Sequence, residues 1–308
     1  YCCMTTGGKR PQSGALRGTF IPWLYVIGTK IQQVSLREMA QDASVMAAGA
    51  IGSAKLFKTH SVCVNFDTTL WAEIVGCTVN REIDPPNVEK GGSPDPNPDE
   101  VRMSDFVKIL VEAIGRVKGA LPEYQVLCAI CGPATLAGYL EVSAPASRTD
   151  QFTIGEILTE FVNILCENNI QNIVILEDEH IGDDELIPWI EGGHYARIAK
   201  LAQHYAVETT FLCSAATLNE QQVEAFDLFT YVAGDAKSTI QAKFDNAIKA
   251  VSVGDFGTGN VTIPEGLEEL DSGSYMVTTE WDLDLSHEFE DIQSDVATIR
   301  AFLEESNE

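Results

Sequence analysis

Positive charge is scarce in this chain: 20 lysines and arginines stand against 46 aspartates and glutamates in 308 residues, a formal net charge of −26. Nucleic acid and anionic membrane both reward clustered Lys and Arg, so this balance argues against either as a partner. Long apolar runs are also missing. No stretch approaches the roughly 18 residues that would span a bilayer. The first residues carry no basic head followed by an apolar core and a small-residue cleavage site, so no secretory signal is expected. No Gly-x-Gly-x-x-Gly follows a first strand and no Gly-x-x-x-x-Gly-Lys is present, which removes the common dinucleotide and phosphate cradles. Cys128-Ala129-Ile130-Cys131 has no second Cys-x-x-Cys pair near it, which argues against structural zinc. In a strand those two thiols point to opposite faces.

What is present suits a large folded enzyme-sized body. Hydrophobic residues make up 45% of the chain, enough for a sizeable core. The acidic residues are spread along the whole length, Lys is rare, and the pattern reads as a solvated acidic coat of the halophilic kind. A salt-rich cytoplasm is therefore expected, with an acidic partner surface as the competing reading. The eight cysteines, at this length and without a leader, are expected to stay reduced, most of them as small buried hydrophobes.

Apolar runs and amphipathic stripes alternate. A helix is expected over 35–57, rich in Ala and Met and broken near Gly49 or Gly52, then a strand over 61–66. Five prolines between 84 and 100 suggest a long exposed loop. Further helices are expected over 104–118, 152–168, 190–206, 219–227 and 288–304, and strands over 126–130, 170–176, 208–213, 229–232 and 250–253. Strand alternating with helix points to a parallel sheet with helical crossovers, either a closed barrel or a doubly wound open sheet.

The run Val62–Phe66 ends at a lone carboxylate, Asp67, followed by a short helical turn that stops at Gly76. In a barrel the C-terminal strand ends face the pocket. The competing reading is that Asp67 caps the helix after it. Read in order, the other strand ends bring Glu177-Asp178-Glu179-His180, Cys213, Asp255 and Glu280-Trp281, a polar ring suited to proton transfer or metal binding.

Ala72-Glu73-Ile74-Val75-Gly76 after Asp67, together with Gly132-Pro133-Ala134-Thr135-Leu136 and the downstream Tyr139, resembles the uroporphyrinogen decarboxylase superfamily. Thr278-Thr279-Glu280-Trp281-Asp282 ahead of a last helix agrees in order and spacing. The resemblance implies a somewhat distorted (β/α)8 TIM-type barrel over 18–308, preceded by an extension at 1–17. It places Asp67 at the family's substrate-orienting Asp, Tyr139 at its pocket Tyr, and His180 in its Ser-His-x-Gly loop with Glu179 in place of the Ser. Asp67, Tyr139 and His180 are thus the candidate catalytic residues, Asp67 to orient substrate and the other two to handle protons. His180 lies in a charged loop that suits general acid work. Glu179, Trp281 and Lys30 are the candidate substrate-binding residues. Lys30 is the one basic side chain in Trp23–Lys30, where the decarboxylases carry an Arg-Gln-Ala-Gly-Arg segment.

The methyltransferase branch of the superfamily uses a zinc-bound thiolate held by a His-x-Cys pair and a later Cys. Cys213 matches the first Cys, Phe211 replaces the His and Trp281 the later Cys, so Cys213 is the candidate metal ligand. The resemblance implies an enzyme that moves a methyl or one-carbon group, with a corrinoid-linked or small thiol substrate. A tetrapyrrole decarboxylase, or a barrel that only binds a tetrapyrrole, corrinoid or protein partner, are the alternatives. Zinc or a corrinoid is the implied cofactor, and a homodimer or corrinoid-protein complex the implied assembly.

Overall fold

The structure is a computed structural model that describes residues 18–83, 86–92, 98–142, 146–178, 181, 183–213, 226–234, 236–241, 247–271, 274–279, 283 and 285–306. The expected extension at 1–17 and most of the expected helix over 219–227 lie outside them. Along the chain run β1 (Phe20–Ile21), α1 (Tyr25–Gln32), α2 (Leu36–Gln41), α3 (Ala43–Leu56), β2 (Ser61–Cys63), α4 (Thr69–Ile74), β3 (Thr78–Asn80), β4 (Asn87–Lys90), α5 (Pro98–Met103), α6 (Asp105–Ala120), β5 (Gln125–Cys131), α7 (Pro133–Tyr139), α8 (Arg148–Glu167), β6 (Asn172–Glu177), α9 (Asp183–Glu191), α10 (His194–His204), β7 (Glu208–Cys213), β8 (Tyr231–Ala233), α11 (Ala236–Gln241), β9 (Ile248–Val253), β10 (Tyr275–Thr279) and α12 (Phe289–Glu305). No helix among the described residues is long and apolar enough to cross a membrane.

Eight strands form one parallel sheet in the order β1-β10-β9-β8-β7-β6-β5-β2, a nearly closed and distorted (β/α)8 barrel. The open seam lies between β1 and β2, which are only two and three residues long. Trp23 stacks on Phe66 across it, ring centroids 5.1 Å apart. Past Cys63 the pairing with β5 continues as Ala129 N–H donates to Asn65 O at 2.8 Å, and Ala129 O accepts the Asn65 side-chain amide at 3.3 Å and the Trp71 indole N–H at 2.8 Å.

Strand parity decides what each side chain meets. Asn172 pairs with Glu208, Val174 with Thr210 and Leu176 with Leu212. These face the lumen, where Thr210 Oγ1 donates to Asn172 Oδ1 at 3.1 Å. The alternate set, Ile175 with Phe211 and Glu177 with Cys213, faces the helix layer, where Phe211 meets Tyr195 of α10 edge to face. By the same register Cys128 and Cys131 point to opposite sides.

Two expectations about the first 100 residues are corrected. The helix over 35–57 breaks at Asp42, not at Gly49 or Gly52, because Asp42 Oδ1 accepts the Ser44 and Val45 N–H groups at 2.7 and 3.2 Å and caps α3. Gly49 instead lets α3 press on α1: a Cβ there would sit 3.2 Å from Gly28 Cα. The expected loop over 84–100 contains β4, antiparallel to β3 with Val79 opposite Val88, and the first residues of α5.

Candidate active site

Asp67 leaves β2 on a frame set by Asn65. Asn65 Oδ1 accepts the Asp67 N–H at 3.3 Å, and its amide donates to Asp67 O at 3.2 Å. Asp67 Oδ1 accepts the Thr69 N–H at 2.8 Å and the Thr69 hydroxyl at 2.5 Å, so the capping reading describes one of its oxygens. The other, Oδ2, is paired with Arg81 NH1. Arg81 in turn gives NH2 and Nε to Glu73 Oε2, at 2.9 and 3.3 Å. The Ala72-Glu73-Ile74-Val75-Gly76 segment thus has a physical content: Ala72 is buried, Glu73 anchors Arg81, and Gly76 turns the chain at φ +87°, where a side chain would be strained. A cavity of about 480 Å³ lies against Arg81 and Glu73, lined also by Arg37, Glu82, Phe106 and Ile109 among others.

Tyr139 comes to the same place from the end of α7. Its hydroxyl lies 2.9 Å from Thr68 Oγ1. Burial pushes the phenol well above its usual value, against the Thr68 hydrogen bond, and nearby Cys131, Asp178 and Asp67 add to the rise. The phenol therefore stays protonated at physiological pH and serves as an O–H donor rather than a proton acceptor.

The Gly132–Leu136 segment is built around one acid of the expected polar ring. Glu177, fully buried at the end of β6, accepts from Thr135 N–H at 2.8 Å, Thr135 Oγ1 at 2.6 Å and Ala134 N–H at 3.3 Å, and from the Tyr195 hydroxyl. Gly132 is required because a Cβ there would lie 2.1 Å from Glu177 Oε1. Burial pushes Glu177 above the usual glutamate range, with Thr135, Tyr195 and Ala134 pulling the other way. Thr135 Oγ1 also accepts the Asp178 N–H at 2.7 Å.

The remaining candidates separate. Lys30 sits in the last turn of α1. Its ammonium donates to His287 O at 2.7 Å and pairs with Glu288 at 3.4 Å, beside the Phe289 ring. These contacts tie α1 to the start of α12. Cys213 shares the face of Phe211 and lies near Tyr195, whose phenol is raised chiefly by burial. That corrects its place in the polar ring, because parity turns it to the helix layer. His180, Glu179 and Trp281 lie outside the described residues. Among the described residues no group of three or more His, Cys, Asp or Glu is placed to hold a metal. The described donor set does not fit zinc.

Arg81 and Asn65 are the residues that the sequence did not point to, while Thr135 and Glu177 were named in it without their mutual contact. Glu177 was legible as the odd-parity end of an apolar strand. Arg81 carried no local signal.

The uroporphyrinogen decarboxylase family model matches residues 24–174. Among solved structures, a methyltransferase from Methanosarcina mazei superposes with a TM-score of 0.68 at 16% identity, covering 93% of each chain. A B12-independent methionine synthase from Shewanella sp. W3-18-1, in complex with selenomethionine, gives 0.51 at 10% identity over 86% of this chain and 89% of its own. At these identities the structural likeness speaks for the fold alone. No curated protein sequence matches the chain.

Proposed function

The chain belongs to the uroporphyrinogen decarboxylase superfamily, and from that premise we propose that it is a methyltransferase-like member moving a methyl or other one-carbon group between a corrinoid-linked donor and a small thiol. The thiol sulfur takes the methyl carbon, the bonding pair stays on cobalt, and the thiol proton leaves. In this reading Asp67 orients substrate as a hydrogen-bond acceptor and Tyr139 donates its O–H. His180, three residues past the end of β6 in the sequence, is the proposed proton carrier, and Glu179 and Trp281 the proposed substrate contacts.

One observation carries the choice. A polycarboxylated tetrapyrrole needs free cations at the mouth. Arg81 is engaged on Asp67 through NH1 and on Glu73 through NH2 and Nε, and Lys30 is tied to His287 and Glu288. Neither offers a free charge to substrate carboxylates, which disfavours decarboxylation of such a substrate. The outward face of Cys213 and the Phe211 side chain beside it favour a second reading, a barrel that binds a corrinoid, tetrapyrrole or protein partner without metal chemistry.

The test is loss of the methylcobalamin absorbance in the presence of 2-mercaptoethanesulfonate, with metal analysis and a visible spectrum of the purified protein. Methyl transfer that falls at least about tenfold in Asp67→Asn supports the proposal, that being the scale of a lost charge-assisted hydrogen bond. No methyl transfer with a bound coloured ligand selects the binder. Release of CO2 from uroporphyrinogen selects the decarboxylase.

A further inference from the structure

Arg81 lies just past β3, outside the barrel, yet only 6% of its side chain is exposed, and 7% of Asp67. The hairpin that carries it touches both arms of the mouth. Through Arg81 it reaches Asp67. Through Gly91, whose N–H donates to Glu141 Oε1 at 3.2 Å, it reaches the end of α7 two residues past Tyr139. Just before β3, Cys77 Sγ donates to Tyr139 O at 3.4 Å. The return leg is seated without slack, since a Cβ on Gly92 would lie 2.3 Å from Val75 O.

A carboxylate offers about four acceptor positions. On Asp67, Thr69 fills two on Oδ1 and Arg81 fills one on Oδ2. We propose that Arg81 is a positioning residue: from the hairpin it clamps Asp67 so that one acceptor position on Oδ2 is left for substrate, which selects a ligand presenting a single N–H or O–H there rather than a pair of parallel donors. The planar fork of a guanidinium bridges Asp67 and Glu73 at once, which the point charge of a lysine cannot do. The inference rests on the reading of Asp67 as the substrate-orienting group.

The test is Arg81→Ala, which removes the fork and leaves a buried hole of guanidinium shape, with methylguanidinium as the probe. In the crystal structure of R81A the Asp67 carboxylate turns off its present position, and soaking with millimolar methylguanidinium returns it. The same probe raises the melting temperature of R81A and not that of the wild type. In the methyl-transfer assay R81A loses about 10- to 100-fold, the scale of a misplaced reacting group, mainly in kcat, and the probe restores most of it while Arg81→Lys does not. Should R81A fail to fold, Glu73→Gln loosens only the outer anchor and is read by the position of the Asp67 carboxylate alone, because Arg81 still fills the site of the probe. An Asp67 carboxylate unmoved in the variant, or a melting temperature indifferent to the probe, overturns the clamp. A wild type that moves no methyl group overturns the functional reading alone, because carboxylate position and thermal rescue are measured without turnover.

Discussion

Replacing Glu177 with glutamine isolates what one buried carboxylate does to this fold. Oε2 takes both Thr135 donors and Oε1 takes Ala134 N–H and the Tyr195 hydroxyl. A glutamine can keep its carbonyl on Thr135 and turn its amide to Tyr195, whose hydroxyl can rotate to accept. The Ala134 N–H is then left buried without an acceptor, which costs about 1–3 kcal/mol. The pH dependence has the opposite sign from an ordinary salt-bridged acid. Burial raises Glu177 above its ordinary value of 4.5, so between that value and the raised one the native state holds a proton that the unfolded state has lost. Stability from this group is therefore full below 4.5 and falls as pH rises through the folded value, by about 1.4 kcal/mol for each pH interval of one that separates the two. Glutamine has no such titration. The wild type's advantage over Glu177→Gln should be largest at low pH and should shrink as pH rises. Urea unfolding of both proteins, followed by tryptophan fluorescence from about pH 4.5 to about pH 8, gives the difference directly, and the other carboxylates cancel in it. An advantage that grows with pH would mean that the donors outweigh burial, and the reasoning would be wrong.

Three further outcomes follow from other parts of the molecule. Asp295 is buried on α12 and accepts from the N–H groups of Gly257 at 2.7 Å, Gly259 at 3.1 Å and Val261 at 3.1 Å; Asp295→Asn should cost about 2–3 kcal/mol in urea unfolding, and a change under about 0.5 kcal/mol refutes that anchor. The six described cysteines are all buried, and burial pushes Cys166 up to about 12 and Cys131 and Cys128 well up; with Cys2 and Cys3 replaced by serine, a thiol reagent should label the folded protein only at the rate of unfolding. The net charge of −26 should make melting temperature rise from dilute buffer to molar salt as the Debye length falls from ~10 Å to ~3 Å, and a flat profile refutes the salt-adapted reading.

The barrel was legible because each apolar strand is a local pattern. The strand over 208–213 and the last helix fall within a residue of expectation, and the Gly132–Leu136 segment falls on the helix turn that follows β5. What escaped depends on distant partners. Asp42 ends one helix and begins the next through its own side chain, and residue periodicity runs straight through it. β4 was hidden among five prolines because its pairing with β3 is tertiary. Arg81 acquires meaning only when the hairpin folds back on Asp67, fourteen residues earlier. Lys30 is the one base in a segment matched to arginines, and its contacts with the start of α12 are equally tertiary.

Cys213 and Glu177 were misplaced by counting strand ends without counting parity. Once Asn172, Val174 and Leu176 are assigned to the lumen by their pairing with Glu208, Thr210 and Leu212, the next lumen-facing position on that strand is 178. The acid that β6 delivers to the mouth is then Asp178, and Glu177 is committed to holding α7. The two neighbours should respond oppositely to the same change. Asp178→Asn removes a charge that acts on the Tyr139 phenol and leaves its own N–H on Thr135 Oγ1, so methyl transfer should fall by about fivefold or more, the scale of one modest electrostatic contact. Glu177→Gln should lose stability first and turnover only as far as α7 loosens. A variant pair in which Asp178→Asn unfolds the protein and Glu177→Gln is thermally silent would reverse the parity assignment, and with it the sorting of mouth residues from scaffold along β6 and β7.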